Sequence, residues 1–289
     1  MAGRLREPRP DSMSELGPAE GLSSRGMSWF DRILEALRPS QRVTGDPPSG
    51  NGASSFHLWW DVPPSDRLVQ ASVVLEVTEP PQVERLYFWA LQVSFANPDG
   101  GGAHLGLQYH PRYPNYTAAN WGGYAPAHQG GLLDGSPSPL PSTPNDLNTR
   151  DFPWQPQRPY RLTIARLPEP IGDGRTAWRG EITDLVSGER TVVRDLYSAG
   201  RYLRGPVMWT EAFARCDHPS TAVRWSEAEV VDEAGHAATV TGVKVNYQSH
   251  EAGGCANTDS TTEGLGWVQR TNTPRTTPDG AMLTLLPPA

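Results

Sequence analysis

The chain is short of several things, and each shortage removes a class of function. Lysine is almost absent and no cluster of Lys and Arg occurs; 25 basic residues against 32 acidic ones leave a net charge of −7. A nucleic-acid binder needs a basic face, so nucleic acid is excluded as a partner. No apolar run reaches the roughly 18 residues that a transmembrane helix requires, so no membrane span is expected. The opening stretch MAGRLREPRPDSMSELGPAEGLSSRG lacks the apolar core of a signal peptide, and starting at Met13 or Met27 exposes none. That makes the cytoplasm the default location. There is no G-x-S-x-G elbow, no G-x-G-x-x-G opening a helix after a strand, and no His pair at metal-ligand spacing among 7 histidines. Serine-type nucleophilic chemistry, dinucleotide binding and zinc chemistry therefore have no support.

Cysteine is scarce too, with only Cys216 and Cys255. In a secreted protein the two read as one disulfide, and in a cytosolic one as two buried thiols. Each lies in a loop-like context, ARCDHPS and GGCANTDS, which leans toward a bridge.

Abundant instead are turn formers and tryptophan: 29 Gly, 29 Pro and 10 Trp in 289 residues. Frequent turns mean many short strands, and Trp carries enough buried area to build a core despite a modest aliphatic content. Residues 1–27 read as a disordered tail. In 28–38, Ser28 followed by Asp31 resembles a capping box, Phe30, Ile33, Leu34 and Leu37 fall on one stripe, and Pro39 ends the run. This predicts a short amphipathic helix over 29–38, which either packs back on the body or docks a protein partner. Residues 39–55 read as a linker and 56–289 as a β domain, with a Pro-rich insertion at 130–159.

Strands are expected at Leu68–Val77, Arg85–Phe95, His104–Tyr109, Tyr160–Arg166, Trp178–Leu185, Arg190–Leu196, Val207–Phe213, Ala222–Val231, Thr239–Tyr247 and Met282–Leu286. Alternation is clearest where Tyr87, Trp89, Leu91, Val93 and Phe95 oppose Phe88, Ala90, Gln92 and Ser94. Ten strands with no helical period between them predict an all-β fold, a two-sheet antiparallel jelly-roll-like sandwich.

The runs YFWALQVSF, HLGLQYHP and ANWGGY, followed by MWTEAF, GGCANTD and QRTNTPR, resemble an uncharacterised bacterial family of concanavalin A-like, jelly-roll β-sandwiches, over residues 56–286. The resemblance implies export and contact with polysaccharide. Fold-level analogy does not by itself carry a function.

Gln108, His110, Tyr116, Asn120, Trp121 and Tyr124 crowd one stretch. A flat aromatic beside amides suits the apolar face and paired hydroxyls of a sugar. The same aromatics could equally cover a sandwich edge. Among carboxylates, Glu227 and Glu229 alternate on one strand face and Glu211 follows Trp209 in MWTEAF, making these three the candidates for acid–base work. For the first two, a solvated outer face is the favoured reading. NPDGGG and CANTDS, with Asp99 and Asp259, offer oxygens that Ca²⁺ could use, though both are also ordinary turns. The leading expectation is a non-catalytic carbohydrate-binding module for a polysaccharide or glycan. The alternatives are a glycan-cleaving enzyme on the same fold and an assembly protein docked through its N-terminal helix.

Overall fold

Apolar and polar residues alternate along most of the chain from Ser54, and a period of two, rich in Val, Thr and aromatics, extends into antiparallel strands. The computed structural model describes residues 42–65, 67–143, 146–249 and 251–285. Among the described residues there are sixteen strands and no α-helix. The helix expected at 28–38 and the tail at 1–27 lie outside the described residues.

The strands form two layers. The first runs β16 (Met282–Thr284), β13 (Gly242–Tyr247), β1 (Ser54–Trp60), β10 (Tyr202–Ala212), β3 (Tyr87–Ala96), β4 (Gly102–Tyr109), β5 (Thr117–Tyr124) and β6 (Thr149–Asp151). The second runs β14 (Thr258–Glu263), β15 (Gly266–Thr271), β11 (Ala222–Asp232), β2 (Leu68–Glu79), β7 (Pro159–Arg166), β8 (Thr176–Asp184) and β9 (Arg190–Ser198), with β12 (Ala237–Thr239) against β11. All pairings are antiparallel. A single pair, Leu203 with Leu68, joins β10 to β2 and makes the hydrogen-bonded path continuous.

The layers close on one another through apolar side chains. Phe95 of β3 stacks on Trp178 of β8 with centroids 5.1 Å apart. Trp121 of β5 lies flat on β8 at Gly180, where a Cβ would fall 2.6 Å from the indole. A polar pin crosses the same space. Gln269 on β15 accepts from Thr210 (2.9 Å) and Trp225 (3.0 Å) and donates to the Phe56 carbonyl (2.9 Å). Trp89, Trp121, Trp178, Trp225 and Trp267 are all fully buried, which explains how a chain modest in aliphatics fills a core of this size.

Strand β5 corrects one expectation. The stretch TAANWGGY is not among the expected strands, yet it pairs with β4 from Thr117↔Tyr109 to Tyr124↔Gly102. Its small residues answer to local crowding: a Cβ at Gly122 would sit 2.5 Å from the Asn148 side chain. Tertiary contact overrides the weak strand propensity here.

The described part of the expected linker, 42–55, is tied to the body. Cys216 N–H donates to the Gly45 carbonyl at 2.8 Å, and Asn257 Nδ2 to the Val43 carbonyl at 3.3 Å. Nearby, Cys216 and Cys255 form a disulfide across 39 residues of sequence, and Cys255 N–H donates to Ser54 Oγ at 2.9 Å. Closing a loop of that length removes unfolded-state entropy worth about 3–4 kcal/mol. Replacing both cysteines by Ala should therefore lower the urea-unfolding free energy by roughly that amount. A loss under about 1 kcal/mol would show that the loop is already constrained in the unfolded chain.

Candidate functional site

Alternation gives the first layer a second face, turned away from the core. On it β1 presents Ser55, His57 and Trp59, β10 presents Glu211, Trp209 and Val207, β3 presents Phe88, Ala90 and Gln92, β4 presents Gln108, Gly106 and His104, and β5 presents Ala118, Asn120 and Gly122. Phe88, Ala90, Val207 and Trp209, with Trp59 against them, form a small apolar cluster separate from the main core. Phe88, Trp209 and His104 meet edge to face, with centroids 4.8 to 5.8 Å apart. Trp209 Nε1 donates to Gln92 Oε1 at 3.1 Å.

One register row crosses this face: Ser55, Glu211, Phe88, Gln108 and Ala118. Glu211 and Gln108 are therefore two strands apart, about 10 Å between Cα atoms. Phe88 stands between them in the row, its ring 4.8 Å from that of Trp209 and 5.3 Å from that of His104. Each end of this pair is held by one atom. Glu211 Oε1 accepts from Ser55 Oγ (3.1 Å) and from Asn51 Nδ2 (3.4 Å), and Oε2 has no partner among the described residues. Gln108 Oε1 accepts from Tyr113 Oη (2.8 Å) and faces Thr149 Oγ1 at 3.4 Å, which leaves Nε2 without a partner among the described residues. Asn120 Nδ2 donates to Thr149 Oγ1 at 2.9 Å, and Thr149 also hydrogen-bonds Asp146.

Burial raises the Glu211 carboxyl above the ordinary glutamate range, and the bonds from Ser55 and Asn51, which favour the charged form, offset only part of that. Burial has the opposite effect on the two histidines of this face. His57 is lowered to about 4, with its bond to the Asn246 backbone pulling weakly upward. His104 is lowered to about 4, with Asp146 and Asn120 pulling upward. Both rings are thus neutral well into the acid range.

A histidine depressed in the folded state contributes stability that is fully present above its unfolded value of 6.5 and is lost as pH falls toward 4. The two together should cost on the order of several kcal/mol between those limits, opposed by one raised carboxyl. The expected result is a urea midpoint that drops between pH 6.5 and pH 4; a flat midpoint across this window would contradict the burial of the pair.

The residues singled out from sequence separate. Gln108 and Asn120 come together on the outer face through Thr149. Tyr124 stands at the far end of that face, its ring 6.4 Å from His104. Trp121 points the other way and is fully buried. His110 and Tyr116 belong to the turn between β4 and β5. His110 Nδ1 accepts from Arg112 N–H at 3.0 Å, and Tyr116 stacks on Tyr109 at 5.7 Å. Of the carboxylates, Glu227 is exposed at a β11 bulge with φ 50° and pairs with Arg161 of β7, and Glu229 shares that strand. Both are on the second layer, remote from Glu211. Asp259 receives Tyr247 Oη, Ser260 N–H, Thr276 N–H and Oγ1, and Thr277 N–H, so protein donors already fill its oxygens. Asp99 accepts from Gly101 N–H at 3.1 Å in its turn. No group of three or more metal-ligating side chains occurs among the described residues.

Asn51, Ser55, His57, His104, Asp146 and Thr149 escape sequence reasoning. Asn51 lies 160 positions from the glutamate it touches, and no local pattern encodes such a pairing.

No family model matches the chain, and no curated protein does. Several solved structures are similar to it, among them the following. Scytalido-glutamic peptidase with a peptide-based transition-state analogue shares 9% identity over 78% of this chain and 98% of its own, at TM-score 0.38. The same peptidase with a transition-state analogue inhibitor shares 9% over 79% and 98%, at 0.40. SCP-B, of the eqolisin family of peptidases, in complex with the tripeptide Ala-Ile-His, shares 10% over 79% and 98%, at 0.36. The expectation of a non-catalytic carbohydrate-binding module is corrected here. The aromatic that was to stack on a sugar, Trp121, lies inside the core with its ring against Gly180, so the platform on which that expectation rested is absent from the surface.

Proposed function

We propose that this chain hydrolyses acyl bonds, peptide amides first among them, with Glu211 as proton donor and acceptor and Gln108 as the donor to the developing oxyanion. The observation that carries this reading is the pair of half-held groups in one register row. Ser55 and Asn51 occupy Glu211 Oε1 and leave Oε2 for a proton. Tyr113 occupies Gln108 Oε1 and leaves Nε2–H to donate. Burial raises the carboxyl's pKa and so favours its neutral form, and a neutral acid serves an amide, whose nitrogen leaves only once protonated. The Oε2 proton passes to that nitrogen, water adds to the carbonyl carbon, and Nε2–H bonds the carbonyl oxygen as it gains charge. The adduct returns a proton to Glu211, the C–N bond breaks, and a carboxylic acid and an amine leave.

Glycan cleavage needs two carboxyls within about 5 to 10 Å. In the row of Glu211 the next carboxylate is Asp151, four strands away, so acyl hydrolysis fits better. The test is to incubate the protein with an unfolded polypeptide and with a polysaccharide panel, from about pH 3 to pH 8, and to follow new N-termini by mass spectrometry and reducing ends by colorimetry. New N-termini support the reading; reducing ends, or no product from either, overturn it.

A further inference from the structure

Resting on the hydrolase reading, we infer that Tyr113 is a positioning residue, whose hydroxyl fixes which way the Gln108 carboxamide faces. A glutamine amide has two orientations of nearly equal shape, and only hydrogen bonding chooses between them. With the carbonyl turned outward the group would repel an oxyanion; with Nε2–H outward it stabilises one. Two hydroxyls reach Gln108 Oε1, but they are not equivalent. Thr149 Oγ1 stands 3.4 Å away, and its single proton is contested by the Asp146 carboxylate. Tyr113 Oη stands at 2.8 Å, the shorter of the two bonds to this oxygen, and also hydrogen-bonds Thr149. The bond that selects the orientation is therefore Tyr113's.

The chain holds this tyrosine firmly. It lies in the turn between β4 and β5, where Pro111 and Pro114 fix φ on either side. Its N–H donates to the His110 carbonyl at 3.1 Å, and its carbonyl accepts from Tyr116 N–H at 3.0 Å. Asn115 and Tyr116 adopt φ of 54° and 64°, a left-handed pair that non-glycine residues adopt only under local constraint. The ring packs on His110 with centroids 5.3 Å apart, and burial pushes the phenol up, so that it remains a donor at every working pH.

Tyr113→Phe keeps the ring and deletes the bond. The experiment is a kinetic cycle with Gln108→Ala, using the unfolded polypeptide as substrate. Gln108→Ala should lower kcat about 10²–10³-fold. Tyr113→Phe should lower kcat about tenfold with KM unchanged. In the Gln108→Ala background it should cost less than about twofold more, because the group it orients is gone. A purely structural role for Tyr113 predicts the same tenfold loss in both backgrounds and overturns the inference. So does a Tyr113→Phe enzyme with unaltered kcat beside an impaired Gln108→Ala. A wild type that releases no N-termini overturns the hydrolase reading and this role with it. The orientation has its own readout in the ¹⁵N-labelled side-chain amide of Gln108, whose resonance should shift in Tyr113→Phe; an unchanged resonance also overturns the inference.

Discussion

Replacing Trp121 by Ala is expected to destabilise the fold by about 3–5 kcal/mol. Trp121 is fully buried, and its ring lies on Gly180, where no side chain exists that could move into the space. Its backbone stays anchored in the variant: N–H to the Asn148 carbonyl at 3.0 Å, and C=O from Arg194 Nε at 3.3 Å. The indole would thus leave a cavity between two fixed strands, and a cavity that cannot collapse costs the most. Against a total stability of about 5–15 kcal/mol, much of the margin would go, and the urea midpoint should show it. A loss under about 1 kcal/mol would place the ring at the surface. The outcome also separates two views of this residue: a sugar-stacking platform would be removable without unfolding the domain.

Why Trp121 misleads from sequence is physical. In NYTAANWGGY the aromatic stands among Asn, Gly and Tyr, a composition common to binding loops and to strands under steric pressure. What decides is the partner surface: Asn148 leaves no room for a side chain at Gly122, and Gly180 accepts the indole, and neither neighbour is close in sequence. The strands rich in alternation were legible to within a few residues, as Leu68–Glu79 and Pro159–Arg166 show. The polar strand Thr258–Glu263 and the small-residue strand β5 were not, because pairing with a neighbour forms them more than their own propensity does. Glu211 was legible as a candidate from MWTEAF, a carboxylate at an alternate position beside an aromatic. Its company was not: Gln108, a candidate in its own right, is brought into the row of Glu211 by register across strands, and Asn51 reaches the carboxylate from a turn before β1.

Glu211→Gln should lower the hydrolytic rate by about 10²–10⁴-fold, the range of a general acid–base group, and leave the fold intact. Glutamine has the shape of the neutral acid and keeps an acceptor oxygen for Ser55 and Asn51, so what is removed is the proton. In the wild type the protonated form is active, and the rate should fall as pH rises through the Glu211 pKa, with a midpoint above the ordinary 4.5. The stability linkage has the same sign: a carboxyl raised in the folded state stabilises while protonated and loses that contribution as pH climbs. Ser55→Ala sharpens the argument. It deletes one of the two bonds that favour the charged form, so the falling limb should move to higher pH, whereas a residue that only filled space would leave the limb in place. A limb that rises through this range, a midpoint at or below 4.5, or a Gln variant as fast as wild type would each remove Glu211 from the chemistry.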